Sequence, residues 1–360
     1  MKRFLSLMRS CSIKNPISDN NKKTSTSDEV IRREAADALA REAKKSGLIS
    51  KSSGTVSAES SGSFFASVYS KRGEKGVNQD CFVVWEEFGF QEDLMFCGVF
   101  DGHGSWGHFV AKRVRELLPS FLLCDWQEVL SMNSLVSGIE EEIEVEKKST
   151  PFNVWKESYL RTCTAVDKEL KRHCGLDSFY SGTTALMIVK QGDLMVIANV
   201  GDSRAVLATT SDDDSLVAVQ LTVDFKPGLP QEAERIIQSN GRVFCLHDEP
   251  GLQRLWLPDE ETPGLAMSRA FGDYCVKDYG LISEPEVTQR SISHRDKFLV
   301  LATDGVWDVI SNEEAVQIVA SALDRGKAAK RLVECANRAW KRKRHGIAVD
   351  DCSAVCLFFH

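Results

Sequence analysis

Aspartates recur beside apolar, strand-like runs of this sequence. Five separated segments share this placement, at Asp80, Asp101, Asp202, Asp304 and Asp350. A single Asp-Gly pair is typical of a turn, but five carboxylates brought together would repel one another unless cations joined them. Carboxylate and carbonyl oxygens are hard ligands that suit Mg²⁺ or Mn²⁺ rather than Zn²⁺. The pattern predicts an oxygen-rich, binuclear metal cluster.

A cluster of this kind can hydrolyse a phosphate ester, because paired divalent ions activate water and stabilise the leaving oxygen. These residues alone do not distinguish a phosphatase from a metal-dependent nuclease. The formal net charge of -7 weighs against nucleic acid as a partner, since phosphate backbones recruit clustered Lys and Arg. A further alternative is a scaffold that keeps the fold but binds no metal and has no activity. The presence of Asp80, Asp101, Asp304 and Asp350 argues against this alternative.

The cysteine spacing and the length of the apolar runs indicate the cellular compartment. The 11 cysteines are scattered without a C-x-x-C pair, which disfavours a disulfide framework or a zinc site and favours reduced thiols. No apolar run approaches the length of a membrane span. We expect a cytoplasmic or nuclear protein, a monomer, with no membrane association.

Strand-like runs and helical periodicities predict the elements that must position the aspartates. Predicted strands are 64–70, 81–86, 94–100, 183–189, 194–200, 205–209, 287–290, 297–302 and 352–358. Predicted helices are 108–123, 151–173, 230–239, 313–323 and 327–341. Early strands, later helices and a closing strand favour a layered α+β domain over a parallel doubly wound one.

The N-terminal residues differ in composition from the rest of the chain. Residues 1–62 are polar and Ser-rich, which predicts a largely disordered tail, and residues 29–45 carry a helical pattern rich in Ala, Glu, Arg and Lys. We therefore place a catalytic domain at 63–360.

An ordered series of short motifs resembles the protein phosphatase 2C family of metal-dependent phosphatases, in its plant branch. The motifs are GVNQD (76–80), DGHG (101–104), SGTTA (181–185), GDSRA (201–205), LTVDFKP (221–227), LAMSRAFGD (265–273), DGVWD (304–308) and DDCS (350–353). Each motif is weakly specific alone, but the set in this order is highly specific.

The resemblance implies a four-layer α/β/β/α sandwich of two antiparallel sheets flanked by helix pairs, with two Mn²⁺ or Mg²⁺ ions at one end. It implies that Asp101 bridges both ions and that the Gly102 carbonyl binds one of them. Asp304 and Asp350 would hold the other ion, and Asp80 would act mainly through water. A weaker third ion, seen in some members, corresponds to Asp202 and Asp308, with Asp304 shared.

The resemblance also implies the reaction. The activity would be hydrolysis of phosphoserine and phosphothreonine in proteins, protein kinases among them, by a water that bridges the two ions. His103 would be the general acid. Many members carry an arginine that grips the substrate phosphate where this chain has Lys75, which supplies charge without the bidentate fork. The alternative for Lys75 is an exposed loop lysine with no such contact.

Overall fold

Two five-stranded antiparallel sheets lie at the centre of the computed structural model, which describes residues 64–136, 150–344 and 346–359 together with Glu34. The strands are β1 Phe64–Lys71, β2 Cys81–Trp85, β3 Leu94–Phe100, β4 Gly102–His103, β5 Gly182–Thr183, β6 Ala185–Gln191, β7 Leu194–Val200, β8 Arg204–Thr210, β9 Leu216–Gln220, β10 Arg242–Phe244, β11 Arg254–Trp256, β12 Pro263–Leu265, β13 Phe271–Gly272, β14 Glu286–Ser291, β15 Asp296–Ala302 and β16 Cys352–Phe359.

The strands form four sheets. Sheet I has the order β1-β16-β15-β8-β9, and sheet II has the order β14-β7-β6-β3-β2. Two three-stranded sheets accompany them: β10-β11-β12 and β13-β5-β4. The second of these, called the small sheet below, joins three of the motifs, because β4 belongs to DGHG, β5 to SGTTA and β13 to LAMSRAFGD.

Helices flank both large sheets, and others lie in the connections between strands. They are α1 Gly107–Val136, α2 Pro151–Arg172, α3 Pro230–Gln238, α4 Tyr274–Lys277, α5 Asp304–Trp307, α6 Asn312–Ala320 and α7 Ala328–Lys343, with 3-10 turns at Phe88–Phe90 and Arg325–Lys327. Capping signals begin two of them. Thr150 accepts a hydrogen bond from the Asn153 amide before α2, and Ser311 and Glu314 form a capping box at α6.

Three apolar cores separate the layers. One lies between α1, α2 and sheet II, and includes Trp85 and Trp155. A second lies between the two sheets, where Phe82 meets side chains such as Leu299. A third lies between sheet I and the pair α6 and α7, around Trp340. The predicted α+β sandwich of two antiparallel sheets flanked by helix pairs is therefore confirmed.

Two predicted boundaries are wrong for physical reasons. The helix predicted at 108–123 continues as α1 to Val136, past Pro119. The buried Trp126 and Val129 extend the apolar face of α1 beyond Pro119. The free energy gained by burying them outweighs the loss of the one backbone hydrogen bond that proline cannot donate. The strand predicted at 183–189 is split between β5 and β6, because the Thr184 amide instead donates to the Asp101 carbonyl at 2.9 Å.

Several short elements were not predicted from the sequence, namely β4, β9, β10 to β13, α4 and α5. The predicted tail 1–62 and its helix at 29–45 lie outside the described residues except for Glu34, so both stay predictions. In the part of the chain that the structure describes, none of the helices has the length and apolar character needed to traverse a bilayer.

Candidate metal centre

The register of sheet II brings two of the predicted ligands together. Cys81, the first residue of β2, pairs with Phe100, the last residue of β3. The residues just beyond this pair are Asp80 and Asp101, which therefore emerge at the same end of the sheet. Asp80 is 5% exposed, and its Oδ2 accepts a hydrogen bond from Thr303 Oγ1 at 2.8 Å.

Sheet I places a second pair at the same end of the sandwich. Ala302, which ends β15, pairs with Ala354 near the start of β16, and the Thr303 amide donates to the Ser353 carbonyl at 3.1 Å. Asp304 then opens α5, and Asp350 stands just before β16. Because Thr303 also contacts Asp80, the two sheets are joined at this end by a buried hydrogen bond.

The turn between β7 and β8 contributes Asp202. β7 belongs to sheet II and β8 to sheet I, so this turn crosses between the sheets. Asp202 is 1% exposed, and neither of its carboxylate oxygens has a hydrogen-bond partner. A buried carboxylate without hydrogen bonds is costly unless a cation balances its charge.

A tight turn orients Asp101 and Gly102. The Asp101 amide donates to Thr184 Oγ1 at 3.2 Å, and the Asp101 carbonyl accepts from Thr183 Oγ1 at 3.0 Å. A Cβ on Gly102 would stand 2.5 Å from the Gly107 carbonyl oxygen and 2.7 Å from the Gln79 carbonyl oxygen. Only glycine fits this close approach of three backbone segments.

The small sheet carries His103 to a buried carboxylate. His103 pairs with Gly182 across β4 and β5, and Gly272 pairs with Gly182 from the other side. His103 Nε2 lies 2.6 Å from Asp273 Oδ2, and the buried His103 Nδ1 has no hydrogen-bond partner. Burial lowers the pKa of His103, but the Asp273 charge and hydrogen bond outweigh it, so the net shift is upward.

Burial and mutual repulsion shift the pKa values of the clustered carboxylates. Burial raises the pKa of Asp80 to about 7, despite the hydrogen bond from Thr303. Burial, then repulsion from Asp80 and Asp304, raises the pKa of Asp101 well above its ordinary range. Burial and repulsion from Asp202 do the same for Asp304. These shifts mark a concentration of negative charge that protons or cations must neutralise.

These residues fit a hard divalent cation. The donors are carboxylate oxygens and the Gly102 carbonyl, and the buried Asp80 Oδ1 has no hydrogen-bond partner. This donor chemistry suits Mg²⁺ or Mn²⁺. Among the described residues, no group of three or more His, Cys, Asp or Glu side chains meets the geometry of a preformed metal site.

A lysine lies between the two residues predicted to hold a third ion. Lys226 Nζ is 3.6 Å from Asp202 Oδ2 and 3.9 Å from Asp308 Oδ1. Burial opposes the charge of Lys226, but the aspartates outweigh it and raise its pKa. Lys226 stands in the LTVDFKP motif, yet no spacing rule links it to Asp202, and sequence reasoning missed this contact.

Lys75 contacts one of the predicted ligands. Its Nζ lies 2.5 Å from Asp350 Oδ2, and its side chain is 53% exposed. The loop that carries it is fixed by Asp351, which accepts hydrogen bonds from the Gly73 amide at 2.7 Å and the Gln79 amide at 2.8 Å. The two adjacent aspartates therefore have different roles. Asp351 hydrogen-bonds the loop that carries Lys75, and Asp350 faces the cluster of carboxylates.

Comparison with known proteins finds relatives that cover most of this chain. A family model described as protein phosphatase 2C matches residues 88–344. A probable protein phosphatase 2C of Arabidopsis thaliana is 63% identical over 357 residues, covering 99% of this chain and 96% of the relative. A probable protein phosphatase 2C of rice is 63% identical over 314 residues, covering 86% of this chain and 88% of the relative.

A solved structure agrees with these relatives. The crystal structure of a serine-threonine phosphatase 2C from Toxoplasma gondii matches with a TM-score of 0.73 at 27% identity, covering 86% of this chain and 100% of that chain. High identity to plant relatives over nearly the whole length, the family match and the shared sandwich agree with one another. The chain belongs to the protein phosphatase 2C family of serine/threonine phosphatases, in its plant branch.

Proposed function

We propose that this phosphatase hydrolyses phosphoserine and phosphothreonine in proteins with two Mn²⁺ or Mg²⁺ ions held by the carboxylates at the end of the sandwich. The observation that carries the proposal is the convergence of Asp80, Asp101, Asp304 and Asp350 from both sheets. Burial, with repulsion from Asp351 and Asp350, raises the pKa of Asp80 to about 7. The ions, when bound, would neutralise the cluster, activate a water molecule and polarise the phosphate.

The ligand roles follow the placement of the side chains. Asp101 leaves β3 at the junction of the two sheets, which suits a carboxylate shared between both ions. Gly102 would bind one ion through its backbone carbonyl, at a position where neighbouring backbone leaves no room for a side chain. Asp304 and Asp350, from adjacent strands of sheet I, would hold the second ion. Asp80, half satisfied by Thr303, would hold water through its free oxygen.

His103 is assigned as the general acid. A serine or threonine oxygen is a poor leaving group and must be protonated as it departs. Asp273 occupies Nε2, so the general acid role requires that Nδ1, which is buried and has no hydrogen-bond partner, meets the leaving oxygen when substrate is bound. The upward pKa shift caused by Asp273 keeps His103 protonated at a higher pH than an ordinary histidine.

Lys75 is assigned to the substrate phosphate. Its exposed ammonium already contacts Asp350, so a phosphate entering the centre would meet it at the edge of the cluster. A lysine contributes one point charge and no bidentate fork, which weakens orientation of the phosphate more than attraction to it.

Substitution of the shared ligands tests the proposal. Asp101→Asn and Asp304→Asn should each lower turnover by more than about 100-fold, since loss of an outer-shell partner of a metal ligand alone costs about 10–100-fold. Both variants should stay folded and bind fewer Mn²⁺ ions by isothermal titration calorimetry. The exposed Asp259→Asn is the matched control. Near-normal turnover with unchanged Mn²⁺ affinity in either variant would remove that residue from the centre.

A further inference from the structure

Four exposed aromatic side chains flank the small sheet that carries His103. They are Trp106, Phe109, Phe179 and Tyr180, with 39%, 47%, 50% and 60% of their surface exposed, and we call them the aromatic rim. Among the side chains that the structure describes, one other aromatic residue, Phe90, is exposed. Scattered apolar residues are normal on a protein surface, whereas clustered ones mark interaction sites.

The rings stand in two contacting pairs. The centroids of Trp106 and Phe109 are 5.3 Å apart, and those of Phe179 and Tyr180 are 4.8 Å apart in an edge-to-face arrangement. Each ring therefore restricts the rotation of its neighbour, which lowers the entropy lost when a ligand covers them.

Backbone contacts tie both pairs to the segment that carries His103. The Trp106 amide donates to Ser181 Oγ at 2.9 Å, and Gly104 packs against the Tyr180 carbonyl with no room for a Cβ. The Phe179 carbonyl accepts from the Cys275 amide at 3.1 Å, two residues after Asp273. The rim is thus fixed relative to His103 and its partner Asp273.

The proposed chemistry indicates what covers this surface. His103 would protonate the oxygen that leaves with the substrate polypeptide, so that polypeptide must lie on the His103 side of the centre. An extended substrate advances about 3.3 Å per residue, so three residues span about 10 Å. Trp106 follows His103 by three residues, so side chains close to the phosphorylated residue come within reach of the rim.

We propose that the aromatic rim selects phosphoprotein substrates that carry a large aliphatic or aromatic side chain within about three residues of the phosphorylated serine or threonine. The proposal rests on the function proposed above, because it uses His103 to define the leaving side. It adds the substrate class: sites with an apolar neighbour, in preference to sites flanked by small polar residues.

Paired peptides test the proposal. A phosphoserine peptide with serine at every flanking position is compared with peptides carrying leucine at one position from three residues before to three residues after the phosphoserine. The full chain should prefer leucine at one or more positions by about tenfold in kcat/KM, the effect of one well-packed contact. Phe109→Ser and Tyr180→Ser should reduce that preference, whereas Leu323→Ser, which removes a fully exposed leucine after α6, should keep it.

Hydrolysis of p-nitrophenyl phosphate is the reference in the same assay. For each protein, the kcat/KM for a peptide is divided by the kcat/KM for p-nitrophenyl phosphate. Equal kcat/KM across the peptide series for the full chain would overturn the proposal. Parallel losses on peptides and p-nitrophenyl phosphate would overturn it too, because the rings would then support the centre. The two rim variants are also examined by light scattering. If they keep the leucine preference but differ from the full chain in molar mass, the rim mediates contact between copies of the chain, and the proposal is contradicted.

This design separates the two proposals. If the metal-dependent mechanism fails, turnover of p-nitrophenyl phosphate no longer depends on Mn²⁺. If only the rim proposal fails, that dependence remains and the leucine preference is absent.

Discussion

His103 is held on one side by the turn that follows Asp101 and on the other by Asp273. The contact between Nε2 and Asp273 is 2.6 Å long and joins residues 170 positions apart in the chain. The DGHG motif identified the histidine, but its partner comes from another motif that the small sheet brings alongside. A carboxylate on one imidazole nitrogen fixes the orientation of the ring, which is compatible with the general acid role proposed for His103.

Replacing His103 by alanine should damage one class of substrate more than another. We expect His103→Ala to lower hydrolysis of a phosphoserine peptide by about 10²–10⁴-fold, the usual contribution of a positioned acid. Hydrolysis of p-nitrophenyl phosphate should fall far less, because nitrophenolate leaves without a proton. The alkaline limb of the pH–rate profile for the peptide should flatten. Both substrates are measured across pH at saturating Mn²⁺, and equal losses on the two would assign His103 a positioning role.

Lys226 supplies a cation where the family resemblance predicts a third metal ion. Its ammonium faces the buried Asp202 and the half-exposed Asp308 at 3.6 and 3.9 Å. A divalent ion between these aspartates must compete with that charge. We therefore expect a third ion to bind weakly in the native protein.

Removing the ammonium should strengthen binding of a third ion. Lys226→Met should raise the affinity for Mn²⁺ beyond the first two ions by about tenfold, because a repelling charge about 4 Å away is lost. Equilibrium dialysis measures the stoichiometry, with the exposed Lys297→Met as control. Unchanged or weaker binding of the third ion in Lys226→Met would show that the lysine does not compete for this position.

At the scale of elements, the long strands were predictable and the short ones were not. Continuous apolar runs identified β3, β7 and β15, because strands buried on both faces need such runs. The two-residue strands of the small sheet have no periodicity to detect, and they are placed by tertiary contacts such as those of Thr183 and Thr184 with the Asp101 carbonyl. The carboxylates at strand ends were therefore found from sequence, whereas Asp273 and Lys226, which reach the site through tertiary contacts, were not assigned.

β1 marks the start of the fold that the structure describes. It pairs with β16 along eight residues, from Phe64↔Phe359 to Lys71↔Cys352. Ser67 Oγ donates to the Gly326 carbonyl at 3.0 Å and accepts from the Ala329 amide at 3.2 Å, which fixes β1 against the start of α7. The predicted domain start at 63 agrees with this pairing but remains a prediction.

Two truncations test this boundary. Removal of residues 1–55 should leave turnover of p-nitrophenyl phosphate largely intact, because every proposed ligand lies downstream. Removal of residues 1–72 also deletes β1 with its buried Val68 and exposes the edge of β16, so we expect loss of cooperative unfolding. Circular dichroism melts and turnover are recorded for both. A folded but inactive 1–55 truncation would show that those residues complete the site.

At the scale of the whole molecule, the two sheets act as a frame that holds carboxylates from distant segments at one end. Sheet II contributes Asp80 and Asp101, sheet I contributes Asp304 and Asp350, and the crossing turn between β7 and β8 contributes Asp202. The cores that surround the sheets contain large apolar side chains, so their packing opposes the repulsion among the carboxylates. Divalent ions would relieve that repulsion where it is concentrated.

Turnover of a phosphoserine peptide before and after metal removal tests the central claim most directly. The protein is dialysed exhaustively against a chelator and assayed in metal-free buffer, then titrated with Mn²⁺ or Mg²⁺. We predict no turnover without metal and recovery on addition of either ion, with the fold checked by circular dichroism at each step. Full turnover after exhaustive metal removal would contradict the binuclear centre.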